Sequence, residues 1–157
     1  MEKSKKFYLF FFILFIFFKF FQLELLANEN IKYLSLKNNE VNLRLGPSFE
    51  YPIKLTYKKK YLPVIILDKS DAWMKIKDFT HNSGWIHVSQ LSKRRTAINH
   101  KNNSILFKKA TIYSKPIAKL ESGRLVLINK CKFSWCKITS GKFNGWIDKN
   151  SLWGNVK

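Results

Sequence analysis

The strongest constraint on this 157-residue chain is that its second half repeats its first. "GWIHVSQL" (Gly84–Leu91) returns as "GWIDKNSL" (Gly145–Leu152), with Trp85 and Trp146 61 positions apart, as are Leu91 and Leu152. Upstream, "AWMKIK" (Ala72–Lys77) matches "SWCKIT" (Ser134–Thr139), Trp73 and Trp135 being 62 apart. "LPVIIL" (Leu62–Leu67) and "RLVLIN" (Arg124–Asn129) keep that same spacing. Three blocks in one order at nearly one offset mark a duplicated folding unit. Each unit has about sixty-five residues, and the join falls near "SKRRTAINHKNNS" (Ser92–Ser104).

The period inside each block is that of β-strands. "VNLRL" (Val41–Leu45) alternates apolar and polar residues, as a half-buried strand does. "LPVIIL" is a short continuous apolar run whose Pro63 suits a strand start, because proline cannot donate within a central ladder. Turn-forming stretches separate the runs: "LGPS" after Arg44, "DKSD" (Asp68–Asp71), "HNSG" (His81–Gly84) and "ESG" (Glu121–Gly123). No segment after the first thirty or so residues carries a helical stripe. The expected fold is all-β: two small barrels in tandem, each of about five strands, closure removing most exposed edges.

The N-terminus has a different character. "MEKSKK" (Met1–Lys6) is basic, "FYLFFFILFIFF" (Phe7–Phe18) is apolar without interruption, and "LLA" (Leu25–Ala27) follows. This is the pattern of a secretory signal peptide, residues 1–27, and the apolar run is shorter than the ~20 residues of a membrane span. Cleavage after Ala27 would deliver a periplasmic or secreted protein with domains at 28–92 and 93–157; retention of the leader would make it an inner-membrane anchor. Without the leader, 25 Lys and Arg face eight Asp and Glu, a balance of +17. Net charge bears on solubility and non-specific attraction, not on fold. Only "YKKKY" (Tyr57–Tyr61) and "SKRR" (Ser92–Arg95) cluster the positive charge.

"VNLRLGPS", "LPVIIL", "AWMKI", "GWIHVSQL" and "SKRRT", in that order, resemble a bacterial Src-homology-3-like domain. The ending "CKFSWCKITSGKFNGWIDKNSLWG" resembles the second copy in tandem exported proteins of this family from proteobacteria. The resemblance spans roughly residues 33–154; between Arg95 and Lys115, "IYSKP" stands in for "LRLGPS" and is several residues shorter. It implies five-stranded barrels that serve as envelope targeting or binding modules.

Strand parity then assigns faces, since neighbours point oppositely. Ile86 and Ile147, compact and β-branched, are the interior residues of the "GWI" strands. Gly84 and Gly145 permit a turn or a close approach. Leu91 and Leu152 plug the barrel ends, and Trp85 and Trp146 lie outside the core layer. If Met74, Ile76, Cys136 and Ile138 are buried, then Trp73 with Lys75, and Trp135 with Lys137, occupy the outer face. In eukaryotic relatives a Trp at this place floors a groove for proline-rich peptides. The partner residues of that groove do not carry over: His87 and Asp148 stand where a Pro follows "GWI", and Gln90 and Ser151 where a Tyr is expected. The candidate ligand-binding residues are therefore Trp73, Lys75, Trp135 and Lys137, with Tyr51, Tyr57 and Tyr61, for a wall peptide, a glycan or a partner loop.

No enzyme reading assembles. His81, His87 and His100 sit in no metal or nucleophile motif, the few carboxylates form no defensible pair, and no cofactor signature is present. Cys131 and Cys136 are half a zinc site at most; in an oxidising compartment they read better as a disulfide across the hairpin that "KSDAWM" (Lys69–Met74) forms in the first copy. Free thiols are the alternative. Two partner classes follow: peptidoglycan or an envelope protein held in a groove, or an anionic polymer (lipopolysaccharide, anionic lipid or nucleic acid) held by charge.

Overall fold

The computed structural model describes residues 31–157; the leader and its cleavage site lie outside the described residues. The strands of the first copy are β1 (Lys32–Leu36), β2 (Val41–Arg44), β3 (Ile53–Tyr57), β4 (Pro63–Ser70), β5 (Trp73–Lys77), β6 (Ser83–His87) and β7 (Leu91–Ser92). Those of the second are β8 (Thr96–Asn99), β9 (Ser104–Phe107), β10 (Pro116–Leu120), β11 (Leu125–Lys132), β12 (Trp135–Ser140), β13 (Phe143–Asp148) and β14 (Leu152–Gly154). The first sheet runs β3-β2-β6-β5-β4-β1-β7 and the second β10-β9-β13-β12-β11-β8-β14, the same topology twice. Each copy has seven hydrogen-bonded segments; the chain after β2 returns to pair as β3, and two residues beyond a 3-10 turn add β7.

Each copy has its own core. Leu36, Val41, Leu43, Val64, Ile76, Ile86 and Leu91 fill the first; Leu106, Leu120, Val126, Ile128, Cys136, Ile138, Ile147 and Leu152 belong to the second. The "GWI…L" echo is explained atom by atom. Ile86 and Ile147 are wholly interior. A Cβ on Gly84 would lie 2.6 Å from the Arg44 carbonyl oxygen, and one on Gly145 would lie 2.7 Å from that of Phe107. Glycine is therefore required where β6 crosses β2 and β13 crosses β9. His87 and Asp148 each accept a hydrogen bond from the backbone N–H two residues on, capping the 3-10 turns that deliver Leu91 and Leu152 to the barrel ends.

The copies differ inside. Tyr57 is a core residue, and its hydroxyl donates to Asp78 Oδ2 at 3.0 Å. Leu120 and Ser140 hold the matching places in the second copy, where Asn99 is a wholly buried polar residue. Its amide nitrogen donates to the carbonyls of Lys101, Leu120 and Glu121, and its oxygen accepts from Ser104 Oγ.

One expectation about the loops changes. The loop after β9 is not shortened: Leu45 N donates to the Pro52 carbonyl and Lys108 N to that of Lys115, closing loops of equal length whose sequences alone diverge. Asp71 and Phe133, each the first residue of a two-residue turn, adopt left-handed φ of 48° and 51°. Ahead of that second turn, Cys131 pairs directly with Cys136, and the two form a disulfide, Cα atoms 4.0 Å apart.

The two barrels belong to one compact unit, Lys32–Lys157. Strand β4 lies against β8 and β14, and Trp153 of β14 meets Tyr33 and Phe79 of the first barrel, both at 5.5 Å between ring centroids.

Candidate functional site

Each barrel carries a groove in the same position. In the first, Trp73 at the start of β5 forms the floor, and Arg44, Phe49, His87 and Gln90 are among the walls. In the second, Trp135 takes that place, and Phe107, Ile112, Asp148 and Ser151 are in the equivalent positions. The equivalence is strict in the strand pairing: Arg44 lies opposite Trp85, and Phe107 opposite Trp146. One groove has thus been kept while its lining has been exchanged.

The first groove is largely filled by the chain itself. Arg44 Nη1 donates to the carbonyls of Phe49 (2.9 Å) and Tyr51 (2.7 Å), fixing the loop so that Phe49 leans on Trp73 at 4.9 Å between ring centroids. His87 closes the other side, 5.3 Å from Trp73 and 5.5 Å from Phe49. The remaining cavity is about 120 Å³. Parity correctly puts Trp73 outside the barrel core, but it is only 8% exposed, because these two rings cover it. In the second groove Ile112 replaces Phe49 and Phe107 replaces Arg44. Trp135 touches Phe107 edge-on at 5.7 Å, stays half-buried, and opens onto about 290 Å³.

The remaining candidate residues do not converge here. Tyr57 is withdrawn into the core by its hydrogen bond to Asp78, so it is not a ligand contact. Tyr51 is exposed, packing its ring over Gly46 where no side chain could stand. Lys75 and Lys137 are half-buried opposite Trp85 and Trp146, on the same face of the sheet as the groove floors but outside the groove linings. Tyr61 lies elsewhere, its ring beneath Lys60 Nζ at 5.1 Å and the Arg94 guanidinium at 5.2 Å. Sequence reasoning missed Arg44, Phe49, Phe107 and Ile112. The constant spacing of 63 between Arg44 and Phe107, and between Phe49 and Ile112, is the signal that would have found them. Among the described residues, no three His, Cys, Asp or Glu side chains gather as metal ligands.

Two solved structures that superpose on the chain are NlpC2 and NlpC1 from Trichomonas vaginalis, each at 14% identity and a TM-score of 0.37. The alignments cover 81% of this chain and 49% of NlpC2, and 80% of this chain and 46% of NlpC1. The chain therefore spans about half the length of each, and nothing of their activity is carried over. Comparison with curated proteins finds no match. Two successive stretches, residues 37–93 and 100–154, each match the bacterial SH3 domain, and with both copies matched the chain belongs to that family of binding domains.

Proposed function

We propose that this protein is a non-enzymatic binding module of the cell envelope, exported by its leader and acting in the periplasm or outside the cell. Its ligand would be a short peptide or glycan segment of peptidoglycan, or an extended segment of an envelope protein. The observation that carries this reading is the retention of a Trp-floored groove at the same place in both barrels, with the second left open. An aromatic floor with a few polar groups at the rim is the ordinary composition of a site for an extended, partly apolar ligand. Trp135 and Ile112 supply the apolar surface; Asp148, Asn102 and Asn103 supply the rim.

The test is retention on purified sacculi and on envelope extract, at low and high salt, with Trp135→Ala and Ile112→Asp beside the parent. Groove binding should survive the salt step, because the contacts are largely uncharged, and either change should weaken it about tenfold. Retention that disappears at high salt and ignores both substitutions would overturn the groove reading.

A further inference from the structure

The two basic clusters, distant in sequence, meet in the fold. Tyr61 N donates to the Leu36 carbonyl at 2.9 Å, and Leu36 pairs with Leu91, so the "YKKKY" turn stands beside the point where "SKRR" leaves β7. The contact is direct: Lys60 and Arg94 both lie over the Tyr61 ring. Tyr61 holds a left-handed φ of 65°, which a bulky side chain adopts only when its surroundings impose it.

From Arg94 the surface continues into an open cleft of about 590 Å³, lined by Ser92, Arg94, Arg95, Asn129 and Thr139 over Leu127 and Ile128. The cleft spans the seam between the barrels, and its backbone is fixed, since Ile128 N donates to the Arg95 carbonyl. Arg95 is also positioned, donating to the Lys157 carbonyl oxygen with Nη2 3.8 Å from Cys131 Sγ. Asn129 Oδ1 accepts from Thr139 Oγ1, which leaves the Asn129 amide hydrogens available to a ligand. No Asp or Glu lines the cleft.

We propose that this seam is a site for phosphate groups, distinct from the two grooves. Two guanidinium groups, neutral hydroxyl and amide donors, and the lysines of the neighbouring turn suit the tetrahedral oxygens of a phosphomonoester or phosphodiester. Collecting these cations with no Asp or Glu in the cleft lining leaves self-repulsion that a bound anion relieves. Single-stranded nucleic acid fits poorly, because it uses aromatic faces for base stacking and here cations already cover Tyr61. The phosphate could be presented by a lipid headgroup or be free, and the experiment separates these.

The full chain is sedimented with phosphatidylcholine vesicles with or without phosphatidylglycerol, and titrated separately with inorganic phosphate. Lys60→Gln/Arg94→Gln is compared with Lys108→Gln/Lys109→Gln, which removes the same charge from an exposed loop of the second barrel. The seam variant should lose about tenfold in affinity for phosphatidylglycerol vesicles, and the loop variant less than about twofold. The same pattern with inorganic phosphate alone identifies a free phosphate as sufficient. Equal losses in the two variants, no loss in the seam variant, or no binding of either probe would each overturn the proposal. Trp135→Ala should leave this binding intact, so the seam and the groove fail independently.

Discussion

At the residue scale, burial separates side chains that build the barrels from those that dress them. Ile86→Ala or Ile147→Ala removes methyl groups from an enclosed core and should cost roughly 2–5 kcal/mol in chemical denaturation. Trp73→Ala should cost nearly as much, because Phe49 and His87 close over the ring; Trp135→Ala, with a floor open to solvent, should cost clearly less. Parity could assign both tryptophans to the outer face, but whether a face is covered depends on a loop that folds back from elsewhere. Asp78 gives a pH signature. Burial alone would raise its pKa, yet hydrogen bonds from Asn82, Tyr57 and Thr80 outweigh burial and hold the carboxyl below its ordinary value. A lowered folded pKa stabilises the protein above the unfolded value of about 3.9 and is lost as pH falls through the folded one. Melting temperature should therefore drop below about pH 4, and Asp78→Asn should flatten that drop while lowering stability at neutral pH.

At the element scale, the hairpin of β11 and β12 shows what a strand register allows. Cys131 and Cys136 are direct cross-strand partners, with Cys136 in the core and Cys131 half-buried beside it. Reduction of this short loop should destabilise the second barrel by about 2 kcal/mol in the chain-entropy model and leave the first unchanged. Hydrogen exchange before and after reduction measures this barrel by barrel; equal loosening of both would contradict it. This pairing was legible in the sequence because the first copy supplies its template, "KSDAWM" matching "CKFSWC". The strand pattern and the barrel-closing Leu91 and Leu152 were legible for the same reason: alternation and repetition are local. The loop from Lys108 to Lys115 was not legible, since backbone hydrogen bonds close it at the same length while its residues have diverged. Nor was Tyr57, whose apparent surface role ended once β3 placed its hydroxyl beside Asp78.

At the scale of the whole molecule, duplication has produced two copies that share a topology but differ in the contacts they make. The second copy has Trp153 where the first has Ser92, one residue past the leucine that closes each barrel. That indole reaches the first barrel and meets Tyr33 edge-on and Phe79 at a tilt. Aromatic pairs of this geometry contribute about 0.5–1.5 kcal/mol each, so the two contacts should couple the barrels by roughly 1–3 kcal/mol. Coupling of that size makes two small domains unfold together. Trp153→Ala should therefore split a single calorimetric transition into two, with the core of neither barrel altered. Tyr33→Ala, approaching the same contact from the other side, should give a similar split, and the double variant should be little worse than either alone. Additive losses would mean that Trp153 serves its own barrel. The phosphate seam offers a second readout, because Arg94 belongs to the first barrel's margin while Asn129 and Thr139 belong to the second. If the seam binds as proposed, loosening the barrels at Trp153 should weaken phosphate binding while sparing retention through the Trp135 groove, which lies within one barrel.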